Sequence, residues 1–223
     1  FADSSQIPTL LVSRMAKPSV SVVLSGDGGD EIFCGYNRYT WSEKLWRNIR
    51  HLPLSLRTQI AKRIEGTRIE TLDHLYRCLK IFLPQMRLPG MKAHKFAKIL
   101  KSDSDFHLYT ALTTHFGDLH EALGIRDSNR IYLIDTLWEA LEDLDFTTKM
   151  QALDFLTYLP DDILVKVDRA AMANSLETRV PLLDHRLVEL SLKVPTHINV
   201  QQGVTKQPLR RILYQFVPRE LVD

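Results

Sequence analysis

The sequence predicts an α/β protein that is mostly helical and carries one convincing strand. Three observations lead there. Val20, Val22, Val23 and Leu24 make a short, β-branched apolar run of the kind that a buried parallel strand uses. That run empties into Ser25-Gly26-Asp27-Gly28-Gly29-Asp30-Glu31, a loop that no regular element would choose, ahead of Ile32, Phe33 and Tyr36 at helical spacing. Almost everything else repeats apolar residues every three or four positions, as amphipathic helices do. A helix feeding a strand is the repeating unit of α/β architecture, so further parallel strands are expected outside this chain.

Taken in order, Asp3-Ser4-Ser5 reads as an N-cap leading a helix through Ile7, Leu10, Leu11 and Met15, with Pro8 harmless in its first turn and Lys17-Pro18 ending it. After the strand and loop, residues 32–52 predict one long helix carrying Tyr36, Tyr39, Trp41, Leu45, Trp46 and Ile49, broken at Leu52-Pro53. Leu56, Ile60 and Ile64 make a short helix ended by Gly66, and residues 69–83 another, closed by Pro84. Helices are also predicted over 94–100, 106–116, 118–123 and 131–144, and through Met150, Leu153, Leu156 and Leu159. Pro181 pushes Val180 out of the α region, so residues 174–181 read as an extended path. A short helix through Leu187 and Leu190 follows, then one that Thr205 caps and Pro208 opens. No repeat, low-complexity stretch or linker divides the chain.

The loop carries the chemistry. Its glycines leave backbone N–H groups open to close approach, and a strand, glycine loop and helix start together suit an anion. Asp27, Asp30 and Glu31 repel a bare phosphate but welcome a hard cation carrying one, because Mg²⁺ typically takes one or two carboxylates plus substrate phosphates. On local sequence alone two readings stand: a Mg²⁺–nucleotide site, or a tight turn whose acids cap the next helix. The loop lacks the Gly-Lys-Ser/Thr of a Walker motif and the G-x-G-x-x-G of a dinucleotide fold.

A second charged block, Pro160-Asp161-Asp162-Ile163-Leu164-Val165-Lys166-Val167-Asp168-Arg169, also reads two ways. Asp161 or Asp162 caps a helix and Asp162 pairs with Lys166 one turn on, or else Lys166, Asp168 and Arg169 lie near a ligand. Glu177, Arg179 and Asp184 read as bracing residues. Lys206 reads as a solvated helix start within reach of a phosphate.

Composition excludes several classes. Across 223 residues, 44% are apolar and 25% charged, and the net charge of +2 gives no electrostatic argument for nucleic acid or an anionic membrane. There is no apolar run of transmembrane length and no signal-peptide pattern. Cys34 and Cys78 stand alone without metal spacing, as two reduced thiols would, and a cytoplasmic location is expected. His51, His74, His94, His107, His115 and His120 have no partner at ligand spacing, and Lys92, Lys95, Lys98 and Lys101 make a solvated face.

Three blocks carry a resemblance. Phe1-Ala2-Asp3-Ser4-Ser5, the run from Leu24 through Phe33 with Gly35-Tyr36-Asn37-Arg38-Tyr39, and the run from Tyr158 through Ala170 continuing to His185 resemble the synthetase domain of glutamine-hydrolysing asparagine synthetases, in that family's order. Residues 45–150 carry little of the signal. The resemblance implies an α/β fold of the PP-loop ATP pyrophosphatase (adenine nucleotide α-hydrolase-like) type, truncated here, with residues 1–223 forming part of one synthetase domain. It implies an ATP- and Mg²⁺-dependent carbon–nitrogen ligase that adenylates the aspartate side chain. Ammonia from an N-terminal glutaminase domain then gives asparagine, AMP and pyrophosphate.

Carried over by residue, Ser25, Gly26, Gly28 and Gly29 lie on the nucleotide. Asp27, Lys166 and Arg169 are catalytic, and Asp30 and Glu31 hold the metal. The resemblance is compatible with a homodimer. Two positions depart from the family pattern: Asp27 stands where glutamate is frequent, and Cys34 where glycine is usual. The family's Ser-Gly-Gly-x-Asp-Ser pyrophosphate loop, its glutaminase domain and a later lysine segment do not occur in this sequence, so residues 1–223 alone are expected to be inactive. Competing readings are a related amidotransferase acting on another carboxylate, of the surface-polysaccharide or β-lactam type, and a non-catalytic helical remnant.

Overall fold

The structure, a computed structural model, describes residues 3–79, 86–114 and 133–222. The chain packs as two compact units, one of Phe1–Trp41 with Ile131–Asp223 and one of Ser42–Arg130.

The first unit holds the strand and loop. Helix α1 (Gln6–Ala16) feeds β1 (Val22–Leu24), as the sequence predicts. A second strand, β2 (Glu177–Arg179), corrects the expectation of a single one. The two run parallel, with Val22 opposite Glu177, Val23 opposite Thr178 and Leu24 opposite Arg179. Ser21 and Arg179 carbonyls extend the ladder by accepting the Glu177 and Ser25 N–H groups at 3.0 and 2.8 Å. Three residues are too few to show a period of two, so this extended path could be read without its pairing.

The long helix expected over 32–52 is also corrected. It divides into α2 (Gly29–Ile32) and α3 (Asn37–Ile49). Between them Cys34 takes a left-handed φ of 54°, and the Gly35 N–H turns back onto the Asp30 carbonyl at 2.7 Å. Gly28, also left-handed, starts α2, which leaves Asp30 and Glu31 in its first turn rather than at its cap.

Helix α3 contributes residues to both units, and α4 (Leu54–Glu65), α5 (Ile69–Leu79), α6 (Pro89–Leu100) and α7 (Asp105–Thr113) belong to the second. There α6 packs against α4, α5 and α7. Arg57 is buried and ties α4 to the end of α6, donating to the Ser102 carbonyl at 2.6 Å. The ends expected at Leu83 and Phe116, the helix expected over 118–123, and His115 and His120 lie outside the described residues.

The first unit resumes with α8 (Leu133–Ala140) and α9 (Phe146–Leu156); Asp145 caps α9 by accepting the Thr147 and Thr148 N–H groups. Residues Leu159–Leu164 form a π-helical turn running straight into α10 (Val165–Met172), so neither Asp161 nor Asp162 caps a helix. Helices α1 and α10 pack together, and the Asn174 amide clips them by donating to the Leu10 and Ala170 carbonyls. Short helices α11 (His185–Ser191), α12 (Thr196–Asn199) and α13 (Gln207–Leu213) complete the chain. The cap of α13 is Lys206, left-handed at φ 55°, in place of the expected Thr205. The core beneath α2 and α9 is closed by Ile32, Phe33, Tyr39, Met150 and Leu153. Among the described residues no helix is long and apolar enough to cross a membrane.

Candidate functional site

The loop leaves the C-terminal end of β1, where α/β sheets place their ligands. Ser25 is fixed through its N–H to β2, and its hydroxyl donates to Asp27 Oδ2 at 2.5 Å. Gly26 stands open, with nothing within 4 Å of the position a side chain would take. Gly28 and Gly29 are covered instead: a Cβ there would meet Leu183 Cδ2 at 2.4 Å and Leu182 Cδ1 at 2.8 Å. Their lack of a side chain lets the Pro181–Leu183 turn lie directly on the loop.

A cavity of about 510 Å³ opens beside Ser25. Ser13 of α1, Thr178 of β2, Ser25, Asp27 and Lys166 line it together. Three of the residues singled out from sequence, two from the loop and one 139 positions later, therefore line one cavity. Arg169 and Asp168 are exposed on α10 and do not line it.

Lys166 is buried, and its ammonium pairs with Asp3 Oδ2 at 2.8 Å rather than with Asp162 one turn back. Asp3 also accepts the Ser5 N–H and hydroxyl at 2.8 and 2.6 Å. The Lys166 hydrogen bond first, and then those from Ser5, hold the Asp3 carboxyl down to about 2. Sequence reasoning gave Asp3 only a capping role; its place in the first family block was the available signal.

The two carboxylates expected at a metal part company. Asp30 stays at the surface and pairs with Lys206 Nζ at 2.9 Å. Glu31 turns inward, is 2% exposed, and accepts the Tyr36 hydroxyl at 2.7 Å while Gln151 donates to its backbone carbonyl at 2.6 Å. Desolvation pushes the Glu31 carboxyl above its ordinary value, and the Tyr36 bond offsets only part of that. Among the described residues no cluster of three histidine, cysteine or acidic side chains could cage a metal. One half-exposed carboxylate on a glycine loop still fits Mg²⁺ arriving with phosphate, which needs few protein ligands.

Behind Glu31 lies a buried brace absent from the sequence reading. Arg38 Nε and Nη2 donate to Asp154 Oδ2 at 3.0 and 2.7 Å, and the Tyr39 hydroxyl donates to the same oxygen. The Arg38 guanidinium lies 4.0 Å from the Tyr36 ring centre. Burial is the largest single influence and would lower the Arg38 pKa, but the Asp154 charge and hydrogen bond together with the neighbouring Tyr39 and Tyr36 outweigh it, and the net shift is upward. Burial likewise pushes the Cys34 thiol up to about 11, which leaves it a packing residue.

An acidic loop at a strand end and a buried lysine thus line one largely apolar cavity, the kind of place where α/β proteins hold ligands. The family model described as Asparagine synthase matches residues 1–223, and the chain belongs to that family. Asparagine synthetase 1 (glutamine-hydrolyzing) of Bacillus subtilis is 33% identical over 228 residues, covering 100% of this chain and 32% of its own length. A putative glutamine-hydrolyzing asparagine synthetase of Mycobacterium tuberculosis is 31% identical over 223 residues, with 99% and 31% covered. Another from Methanocaldococcus jannaschii is 35% identical over 176 residues, with 77% and 30% covered. The chain thus spans about a third of the length of the curated relatives it matches. No solved structure matches it.

Proposed function

We propose that this chain is part of the synthetase domain of an ATP-dependent amide ligase, and that its cavity is where a carboxylate is activated. The observation carrying this reading is that Ser25, Asp27 and Lys166 line one cavity at the end of β1, in a chain of the asparagine synthase family. Aspartate is the proposed substrate, since the curated relatives are named as asparagine synthetases.

In the proposed reaction an aspartate side-chain oxygen attacks the α-phosphorus of ATP, and the bond to the β-phosphate oxygen breaks to release pyrophosphate. Ammonia, supplied by a glutaminase domain elsewhere in the polypeptide, then adds to the acyl carbon. The acyl–oxygen bond breaks, AMP leaves, and the amide remains. Ser25 and the open Gly26 hold the nucleotide, with Gly28 and Gly29 setting the loop's path. Asp27 takes the proton that ammonia gives up. Lys166 supplies positive charge at the phosphates once it leaves or shares Asp3; Arg169, exposed on α10 and outside the cavity lining, is assigned no step. Asp30 would hold Mg²⁺, which offsets phosphate charge when bound. Glu31 anchors α2 in place of the direct metal role expected from the resemblance.

The experiment follows pyrophosphate release by the full-length protein and its Asp30→Asn variant, with and without aspartate, and by residues 1–223 alone. Aspartate-dependent release that is lost in the variant and negligible for residues 1–223 supports the reading. Release that ignores aspartate but answers to another carboxylate moves the substrate to the surface-polysaccharide or β-lactam type. No release from the full-length protein overturns the enzyme.

A further inference from the structure

We propose that Lys206 is a positioning residue for Asp30: it holds that carboxylate while the loop is empty and gives it up when a metal-bound phosphate arrives. This rests on the reading of Asp30 as the metal carboxylate. Three features of the structure converge on the pair. Lys206 Nζ lies 2.9 Å from Asp30 Oδ1, with both side chains about one-third exposed. Lys206 takes a left-handed backbone, at φ 55°, that ordinary residues avoid, and its N–H donates to the Phe33 carbonyl at 3.2 Å, so the start of α13 is pinned to the end of α2. Gly35 clears the route between them. A Cβ there would sit 1.9 Å from Asp30 Oδ1, 2.3 Å from Lys206 Cε and 2.7 Å from Asp30 Cα.

The direction of the effect follows from charge. An ammonium on Asp30 competes with a free divalent cation for the same carboxylate, so an unloaded loop binds metal weakly. A cation that brings phosphate also brings a new acceptor for the lysine. Lys206 then exchanges one anion for another instead of losing its partner. Ion pairs at this exposure are weakly held, so the exchange meets little resistance. The device favours the loaded metal–phosphate over the free metal.

The test is Mn²⁺ binding, read by electron paramagnetic resonance, to the full-length protein as wild type, Lys206→Met, Gly35→Ala and Asp30→Asn, with and without pyrophosphate. Lys206→Met is expected to bind free Mn²⁺ roughly tenfold more tightly, since one nearby charge is worth about one decade at a half-exposed site. The same variant is expected to bind Mn²⁺–pyrophosphate more weakly than wild type. Gly35→Ala, whose Cβ would displace Asp30 itself as well as Lys206, should instead weaken Mn²⁺ binding with and without pyrophosphate. A purely structural lysine would leave free Mn²⁺ binding unchanged or weaker, and either result overturns the proposal. Unchanged Mn²⁺ binding in Asp30→Asn overturns the metal reading itself, which separates the two failures. Lys206→Arg, which keeps the charge, should bind free Mn²⁺ as the wild type does, and a tightening there also counts against competition by charge.

Discussion

Two carboxylates of the first unit are shifted in opposite directions. Asp3 is held down by Lys166 and Ser5, so its contribution to stability is present above the ordinary value of 3.8 and is lost as pH falls toward about 2. With the Asp3 side chain 21% exposed, solvent screens part of this, leaving about 1 kcal/mol. Asp3→Asn should therefore be less stable than wild type at pH 6, and denaturant titrations should show the two converging below pH 3. Glu31 is held up by desolvation, so keeping it ionised costs stability as pH rises through 4.5. Glu31→Gln retains an acceptor for the Tyr36 hydroxyl without the buried charge. It should melt at or above the wild-type temperature at pH 7, with the advantage gone below pH 4.5. Because the Glu31 carboxylate faces Tyr36, Glu31→Gln should also keep pyrophosphate release, in contrast to Asp30→Asn.

At the scale of elements, the loop stays in place because α2 is anchored from behind. Gln151 of α9 holds the Glu31 carbonyl, and α3 is tied to α9 by Arg38 and Tyr39 on Asp154, whose side chain is fully buried. Removing one partner of such a pair strands a buried charge and costs about 3–5 kcal/mol. Asp154→Ala should lower the unfolding free energy by that amount, and calorimetry should show it. The break between α2 and α3 belongs to this scale as well. Side-chain spacing across 32–52 is compatible with one helix, because apolar residues continue at helical intervals through the break. Only the left-handed turn at Cys34 and the Gly35 N–H on Asp30 show where the helix stops. The family's usual glycine at position 34 was the available hint.

Across the whole molecule, β1 and β2 form a two-stranded sheet among the described residues, and large apolar side chains remain in water beside it. Leu24 is 73% exposed and Met15 79%, with Ile7, Leu11 and Val12 exposed on the same helix as Met15. Unpaired strand edges and contiguous apolar surface promote association. Residues 1–223 alone should therefore self-associate in a concentration-dependent way in sedimentation velocity, and Leu24→Lys should reduce that. Monomeric behaviour at all concentrations would contradict it.

By itself the sequence determined the strand at Val22–Leu24, the acidic glycine loop after it, most helices to within a few residues, and the family, because these depend on local backbone preference and motif spacing. Tertiary structure alone decided which charges meet. Lys166 passes over Asp162, four residues away, for Asp3, 163 residues away; Asp30 finds Lys206, and Glu31 turns from solvent to Tyr36. Periodicity records which face of an element is apolar. It carries no information about which distant carboxylate the path of the chain brings within 3 Å of an ammonium, and that choice is what separates a buried anchor from a residue free to meet a ligand.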